Sequence, residues 1–309
     1  MTTRADNIIA ISADSHICEP PEAFDDIDPA FLDRKPTLVQ HETLGAAFVV
    51  EGLPMPVPMS MINAAGRTAE ELADVNRKWD GLNHGGWEVG PRLEAQDLDG
   101  VSAEVLYPSV GMIICLHPDA DFRKACFDAY NRWLADVWKE AKGRIRWMAV
   151  LPFSSIPDAL DQMEFAKDHG ACGVFMRPIE GTKLVNHPDF FPVYEKAASW
   201  NWPIGLHQAN GNANVVDFFS TPDGNREFFN QYRIFNVGAF FLVIQSGLTK
   251  VFPGLKMGFI ETAASWVPWV TMELESRKKM VTTGLSDNLL REYDLFVTCQ
   301  SGDDVPYLV

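Results

Sequence analysis

The feature that most constrains this chain is a regular alternation of short apolar runs with longer amphipathic segments. Apolar, β-branched runs lie at 8–16, 103–107, 147–151, 173–176, 203–207, 256–260 and 295–298. Helices are predicted between them, over 90–99, 119–142, 157–169, 188–200, 226–248 and 265–280. In 119–142 the residues Phe122, Cys126, Tyr130, Leu134, Val137 and Ala141 recur at helical spacing. Gly100, Gly143 and Gly170 supply the stops. Strands that alternate with helices through short loops imply a parallel sheet with helical crossovers. No glycine-rich dinucleotide fingerprint follows the first strand, so the expectation is an α/β fold of the TIM-like (β/α)8 barrel type rather than a doubly wound sheet. The count stops at seven strands, so the predicted barrel lacks its eighth strand in this chain.

The 309 residues, 47% of them hydrophobic, suffice for one large domain, and 1–309 is read as a single barrel. One stretch interrupts the alternation. After the first strand, 18–87 is rich in proline, and Pro54, Pro56 and Pro58 exclude helix interior there. Loops this long inside a compact domain are usually functional. The segment is therefore read as an insertion that caps an apolar pocket with Met55, Met59, Met61 and Trp79; a surface excursion is the alternative.

In a barrel the residues just past each strand share one rim, and active sites sit there. That rim carries Asp14, His16 and Glu19 after strand one and Tyr107 after strand two. Arg177 follows strand four, His207 strand five and Glu261 strand six, and Gln300, Asp303 and Asp304 follow strand seven. Asp14 and His16 are two apart, so on a regular strand they point to the same side. Carboxylate oxygens mixed with imidazole nitrogens suit a divalent metal, and a centre of one or two ions is the economical account of such a rim.

Each candidate has a plainer reading. Asp14 can open a turn and His16 can be a polar strand-end residue. His207 can be a hydrogen-bonded core histidine. Glu261 can bridge to Trp266 and the following helix start. Arg177 suits bidentate binding of a substrate carboxylate, or an ion pair with a neighbour. His84, in the loop 83–86, can reach the pocket or stay solvated. Asp303 and Asp304 are read as caps of a helix beginning at Val305.

A formal charge of -16 disfavours nucleic acid and anionic membranes as partners. No apolar run reaches membrane-spanning length, and the first residues carry no signal-peptide core. Five scattered cysteines without a C-x-x-C pair fit a reduced, cytoplasmic chain.

The order and spacing of several motifs resemble the amidohydrolase-related branch of the amidohydrolase superfamily, which includes the aminocarboxymuconate-semialdehyde and resorcylate-type decarboxylases. The carriers are Ala13-Asp14-Ser15-His16 with Glu19-Pro20, Arg92-Leu93-Glu94 through Asp99-Gly100-Val101, and Tyr130-Asn131-Arg132-Trp133-Leu134. Pro203-Ile204-Gly205-Leu206-His207, Phe252-Pro253-Gly254-Leu255-Lys256 and Asp303-Asp304-Val305-Pro306-Tyr307 complete them. The resemblance implies a metal-dependent barrel that hydrolyses or non-oxidatively decarboxylates a small organic acid or amide, as a homo- or hetero-oligomer of barrel subunits. On that reading Asp14, His16, His207 and Glu261, with Glu19, hold zinc, manganese or iron. His207 and Glu261 are catalytic; Arg177, Tyr107 and His84 contact the substrate. Two departures matter. Relatives often carry H-x-H and a histidine where this chain has Asp14-x-His16 and Glu261, and an oxygen-richer set leans towards manganese or iron. Relatives also end an eighth strand in an aspartate. The alternatives are thus an O2-dependent hydroxylase with a dinuclear non-heme iron-type centre and a catalytically silent subunit of a heteromeric complex.

Overall fold

The computed structural model describes residues 9–141, 143–220, 232–277 and 288–308. Two compact units divide the chain, Met1–Met148 with Ala166–Ala171 and Ala149–Phe165 with Cys172–Val309. The division falls inside the strand Ile145–Val150 and at the first residue of the strand Ala171–Met176.

The first unit opens with β1 (Ala10–His16). A small antiparallel sheet follows, built from β2 (Thr37–His41), β3 (Gly45–Val49) and β4 (Val57–Pro58). It occupies the proline-rich segment, and its buried Phe48 packs edge-on against Phe24 at 6.0 Å. Next come β5 (Val101–Tyr107) and β6 (Ile145–Val150). The parallel order in this unit is β1-β5-β6. β1 is apolar in sequence but not buried on both faces: Ile11 is 61% exposed. In this unit β1 ends the row, with β5 beside it.

Local chemistry sets the helices of this unit. Val89–Asp99 closes on Gly100, whose left-handed φ of 69° lets β5 start at the next residue. Ala120–Glu140 begins at Asp119, whose carboxylate accepts the N–H groups of Asp121 and Phe122, both at 3.1 Å. Its predicted stripe of Phe122, Cys126, Tyr130 and Leu134 is buried.

The second unit carries β7 (Ala171–Met176), the short pair β8 (Ile179–Glu180) and β9 (Lys183–Leu184), β10 (Pro203–His207), β11 (Lys256–Ile260) and β12 (Leu295–Val297). Its parallel order is β7-β10-β11-β12. After its first residue, each of β10 and β11 is buried throughout, as unbroken apolar runs in parallel sheets should be. They pair without a register shift from Pro203↔Lys256 to His207↔Ile260. Helix Ile234–Ser246 lies on them: Phe240 meets Phe259 at 5.1 Å, and Asn236 Nδ2 donates to the Leu206 carbonyl at 2.6 Å. Residues 226–231 of one predicted helix and 278–280 of another lie outside the described residues. The predicted helix over 188–200 splits into a tight turn at Pro188–Phe190 and Phe191–Ser199.

Seven parallel strands separated by helices place the chain in the (β/α)8 barrel class with one strand missing among the described residues. The C-terminal ends of these strands are where the candidate residues stand.

Candidate functional site

In the first unit, β1 does not run evenly beside β5. Ser12 pairs with Glu104 and Ser15 with Leu106, so β1 carries one extra residue between them. That bulge, spanned by a 2.7 Å contact between the Ser12 and Ser15 hydroxyls, contains Asp14 and re-aims it. The outcome is close to that expected from simple alternation, but by another route: Asp14 Oδ1 stands 3.9 Å from His16 Nε2.

The His16 ring is held by its other nitrogen. Nδ1 lies 2.9 Å from the Pro108 carbonyl oxygen. A carbonyl only accepts, so Nδ1 carries a proton, and Nε2 is the ring nitrogen on the side of Asp14. The main chain of His16 is clamped as well. Arg92 Nη2 donates to the His16 carbonyl at 2.7 Å, while Nη1 pairs with Glu104 of β5, also at 2.7 Å. Sequence reasoning valued Arg92 only as part of a motif; its spacing from His16 gives no sign of this contact.

Glu19 requires a correction. It was expected to be a metal ligand, yet it is fully buried and both oxygens are taken by backbone amides. Oε1 accepts from Ser109 and Gly111 at 3.0 and 2.9 Å, and Oε2 accepts from Val110 at 2.9 Å. Burial pushes its pKa above the ordinary carboxyl value, and the three amides pull the other way. Tyr107 is buried as the register partner of His16, with ring centres 6.2 Å apart. His84 sits at the surface, Nδ1 2.6 Å from Glu88 Oε1. The Glu88 carboxylate, then the Asp80 carbonyl, raise its pKa.

In the second unit, His207 ends β10 and is fully buried. Its Nε2 lies 3.2 Å from Glu261 Oε2, and the Glu261 side chain remains 36% exposed. Glu261 ends β11 in the left-handed region, φ 60°, where a residue with a Cβ is strained. Two contacts hold it there. Its N–H donates to Thr298 Oγ1 at 2.9 Å, and Gln300 Nε2 donates to its carbonyl at 3.2 Å. Arg233 extends the network, donating to Gln208 and Gln300 at 3.1 and 3.2 Å. The alternative link from Glu261 to Trp266 does not form, because the Trp266 indole N–H donates to the carbonyls of Thr262 and Ala263. Asp303 does not cap the helix at Val305 with its side chain; its carboxylate accepts from Ala264, Ser265 and Gln300. It thereby ties the loop after β11 to the loop after β12.

Arg177, just past β7, is buried and held by a neighbour. Nε donates to Glu180 Oε1 at 2.9 Å, and Nη2 pairs with Glu180 Oε2. Nη1 has no hydrogen-bond partner among the described residues. Desolvation lowers the guanidinium pKa from its ordinary value.

Each unit thus closes a parallel strand with an imidazole beside a carboxylate. Nitrogen and carboxylate oxygen without thiolate is a donor set that fits manganese, iron or zinc. All five cysteines are described, and none forms a disulfide.

A (β/α) barrel bearing such pairs at its strand ends defines a class, and the comparisons narrow it. Residues 69–287 match the family model described as Amidohydrolase. The chain belongs to the amidohydrolase family. Among solved structures it is similar to an amidohydrolase from Mycobacterium avium subsp. paratuberculosis K-10, at 18% identity and a TM-score of 0.73, covering 98% of this chain and 86% of that one. It is also similar to 5-carboxyvanillate decarboxylase from Novosphingobium aromaticivorans DSM 12444, solved with manganese and 4-hydroxy-3-methoxy-5-nitrobenzoic acid, at 13% identity and a TM-score of 0.65, covering 97% and 80%. A third is 2,6-dihydroxybenzoate decarboxylase from Rhizobium, at 13% identity and a TM-score of 0.56, covering 95% and 80%. No curated protein matches.

Proposed function

We propose that this chain is a metal-dependent enzyme whose divalent-metal ligands come from Asp14, His16, His207 and Glu261. The reaction is hydrolysis or non-oxidative decarboxylation of a small organic acid or amide. The observation that carries the reading is the repeated strand-end pair, Asp14 with His16 at 3.9 Å and His207 with Glu261 at 3.2 Å. A bound ion supplies Lewis acidity, which polarises a carbonyl or acidifies water. The remaining work falls to the chain. The partly exposed Glu261 carboxylate is placed to take or return a proton at the reacting atom, with His207 Nε2 beside it. Arg177 Nη1 is the guanidinium nitrogen left for a substrate carboxylate, because Glu180 already fixes the other two. Tyr107 lines the same end of β5, and His84 is the outermost of the proposed substrate contacts.

The decarboxylases among the similar structures act on aromatic carboxylic acids, which makes hydroxybenzoates the first compounds to try. With manganese-loaded enzyme, release of carbon dioxide or of a hydrolysis product without oxygen uptake supports the reading. Turnover that requires iron and consumes oxygen overturns it in favour of a hydroxylase. The oxygen-rich donor set, with Asp14 and Glu261 where relatives often carry histidine, is the observation behind that second reading. A third reading is a silent subunit of a heteromeric assembly. A cytoplasmic location and assembly with like barrel subunits belong to the same proposal. Among the described residues no helix is long and apolar enough to cross a membrane.

A further inference from the structure

The geometry points to Glu19 as a positioning residue that sets the proton position on His16 through one peptide plane. The Pro108 carbonyl and the Ser109 N–H belong to the same planar trans peptide and point in opposite directions. Glu19 Oε1 accepts that N–H at 3.0 Å, and His16 Nδ1 donates to that carbonyl at 2.9 Å. Holding one end of the plane therefore aims the other. The remaining contacts of Glu19, from Val110 and Gly111, stop the plane from turning by fixing the first turn of helix Val110–Ile114. The first amides of a helix have no partner within it, and this helix has no side-chain cap of its own. Glu19 is the acceptor that replaces one.

The consequence lies at His16. With Nδ1–H directed at Pro108, Nε2 is the nitrogen turned toward Asp14 and the one a metal would take. Released, the turn could rotate and the ring could take either tautomer. This role rests on the proposed use of His16 as a ligand, but the tautomer itself does not depend on any metal.

The test uses 15N-labelled, metal-free protein, in which the imidazole nitrogen shifts report the tautomer and His16→Ala assigns the signal. In the wild type His16 keeps a proton on Nδ1; a neutral Nε2–H tautomer there, alone or mixed, overturns the proposal without any variant. Glu19→Met fills the same space without a carboxylate, and Glu19→Asp keeps the charge but cannot reach all three amides. Each is expected to mix the His16 tautomers and to weaken Mn2+ binding about 10-fold or more, the usual cost of losing an outer support, with Asp the milder. A folded variant that keeps the wild-type tautomer and binds Mn2+ within about twofold of the wild type overturns the proposal, since a purely structural cap predicts that result. If the wild type binds neither Mn2+ nor Zn2+, the metal reading fails, and the tautomer still decides the role of Glu19.

Discussion

Glu261 Oε2 stands 3.2 Å from His207 Nε2, and Glu261 reaches that place from a left-handed backbone. Such a conformation costs a residue with a Cβ roughly 1–2 kcal/mol and persists where surrounding contacts over-determine it. The contacts here are Thr298 and Gln300. Glycine adopts the same backbone without strain. Glu261→Gly is therefore expected to leave unfolding stability unchanged or raise it by up to about 1 kcal/mol, while metal affinity and turnover fall. Denaturant unfolding alongside metal titration checks this. A variant that loses both stability and affinity would mean that Glu261 is structural.

Arg177 and Glu180 form an ion pair buried on both sides. Removing one partner of such a pair strands the other charge, at a cost of about 3–5 kcal/mol. Glu180→Ala should lose that much stability in urea unfolding, whereas the apolar double replacement Arg177→Met with Glu180→Leu should come out closer to the wild type. A loss below about 1 kcal/mol in the single variant would show that Arg177 finds another anion.

His84 offers a pH test in a part of the chain far simpler than the site. Its pKa is raised, first by the Glu88 carboxylate and then by the Asp80 carbonyl. A raised folded value means that the contribution to stability is complete below the unfolded imidazole pKa of about 6.5 and fades as pH rises through the folded one. NMR titration should place His84 above 6.5, and Glu88→Gln should bring it back down. No change on that substitution would contradict the assignment.

Burial pushes the Cys18 thiol up to about 11, against a partial offset from Asn63, and pushes Cys126 higher still. Cys299 is exposed. A thiol-specific reagent near pH 8 should modify Cys299 in the folded protein and reach Cys18 and Cys126 only after unfolding. Rapid labelling of Cys18 in the native state would show that the first unit opens around β1.

What could be read from the sequence follows from how local each feature is. The strands ending in His16, His207 and Glu261 were legible because an apolar run that stops at a polar residue needs no knowledge of its neighbours. So was the stop at Gly100, since a left-handed C-terminal residue is a local demand. The bulge at Asp14 was not legible, because it exists only in the register between β1 and β5. The exposed face of β1 depends likewise on which elements pack over it. Glu19 is deceptive in sequence for the same reason. A carboxylate three residues after a candidate histidine looks like a ligand until the amides of Ser109, Val110 and Gly111, some ninety residues away in sequence, are seen to surround it. Asp303 is a parallel case, with its partners at Ala264 and Ser265.

The most direct test is the metal content per chain, by elemental analysis of protein purified without chelator, with His207→Ala prepared in parallel. The account predicts at least one equivalent of manganese, zinc or iron in the wild type and its loss in the variant, with the fold retained. A wild type that holds no metal and gains none on incubation with Mn2+ or Zn2+ would contradict it, and would leave the strand-end pairs as structural contacts of a silent subunit.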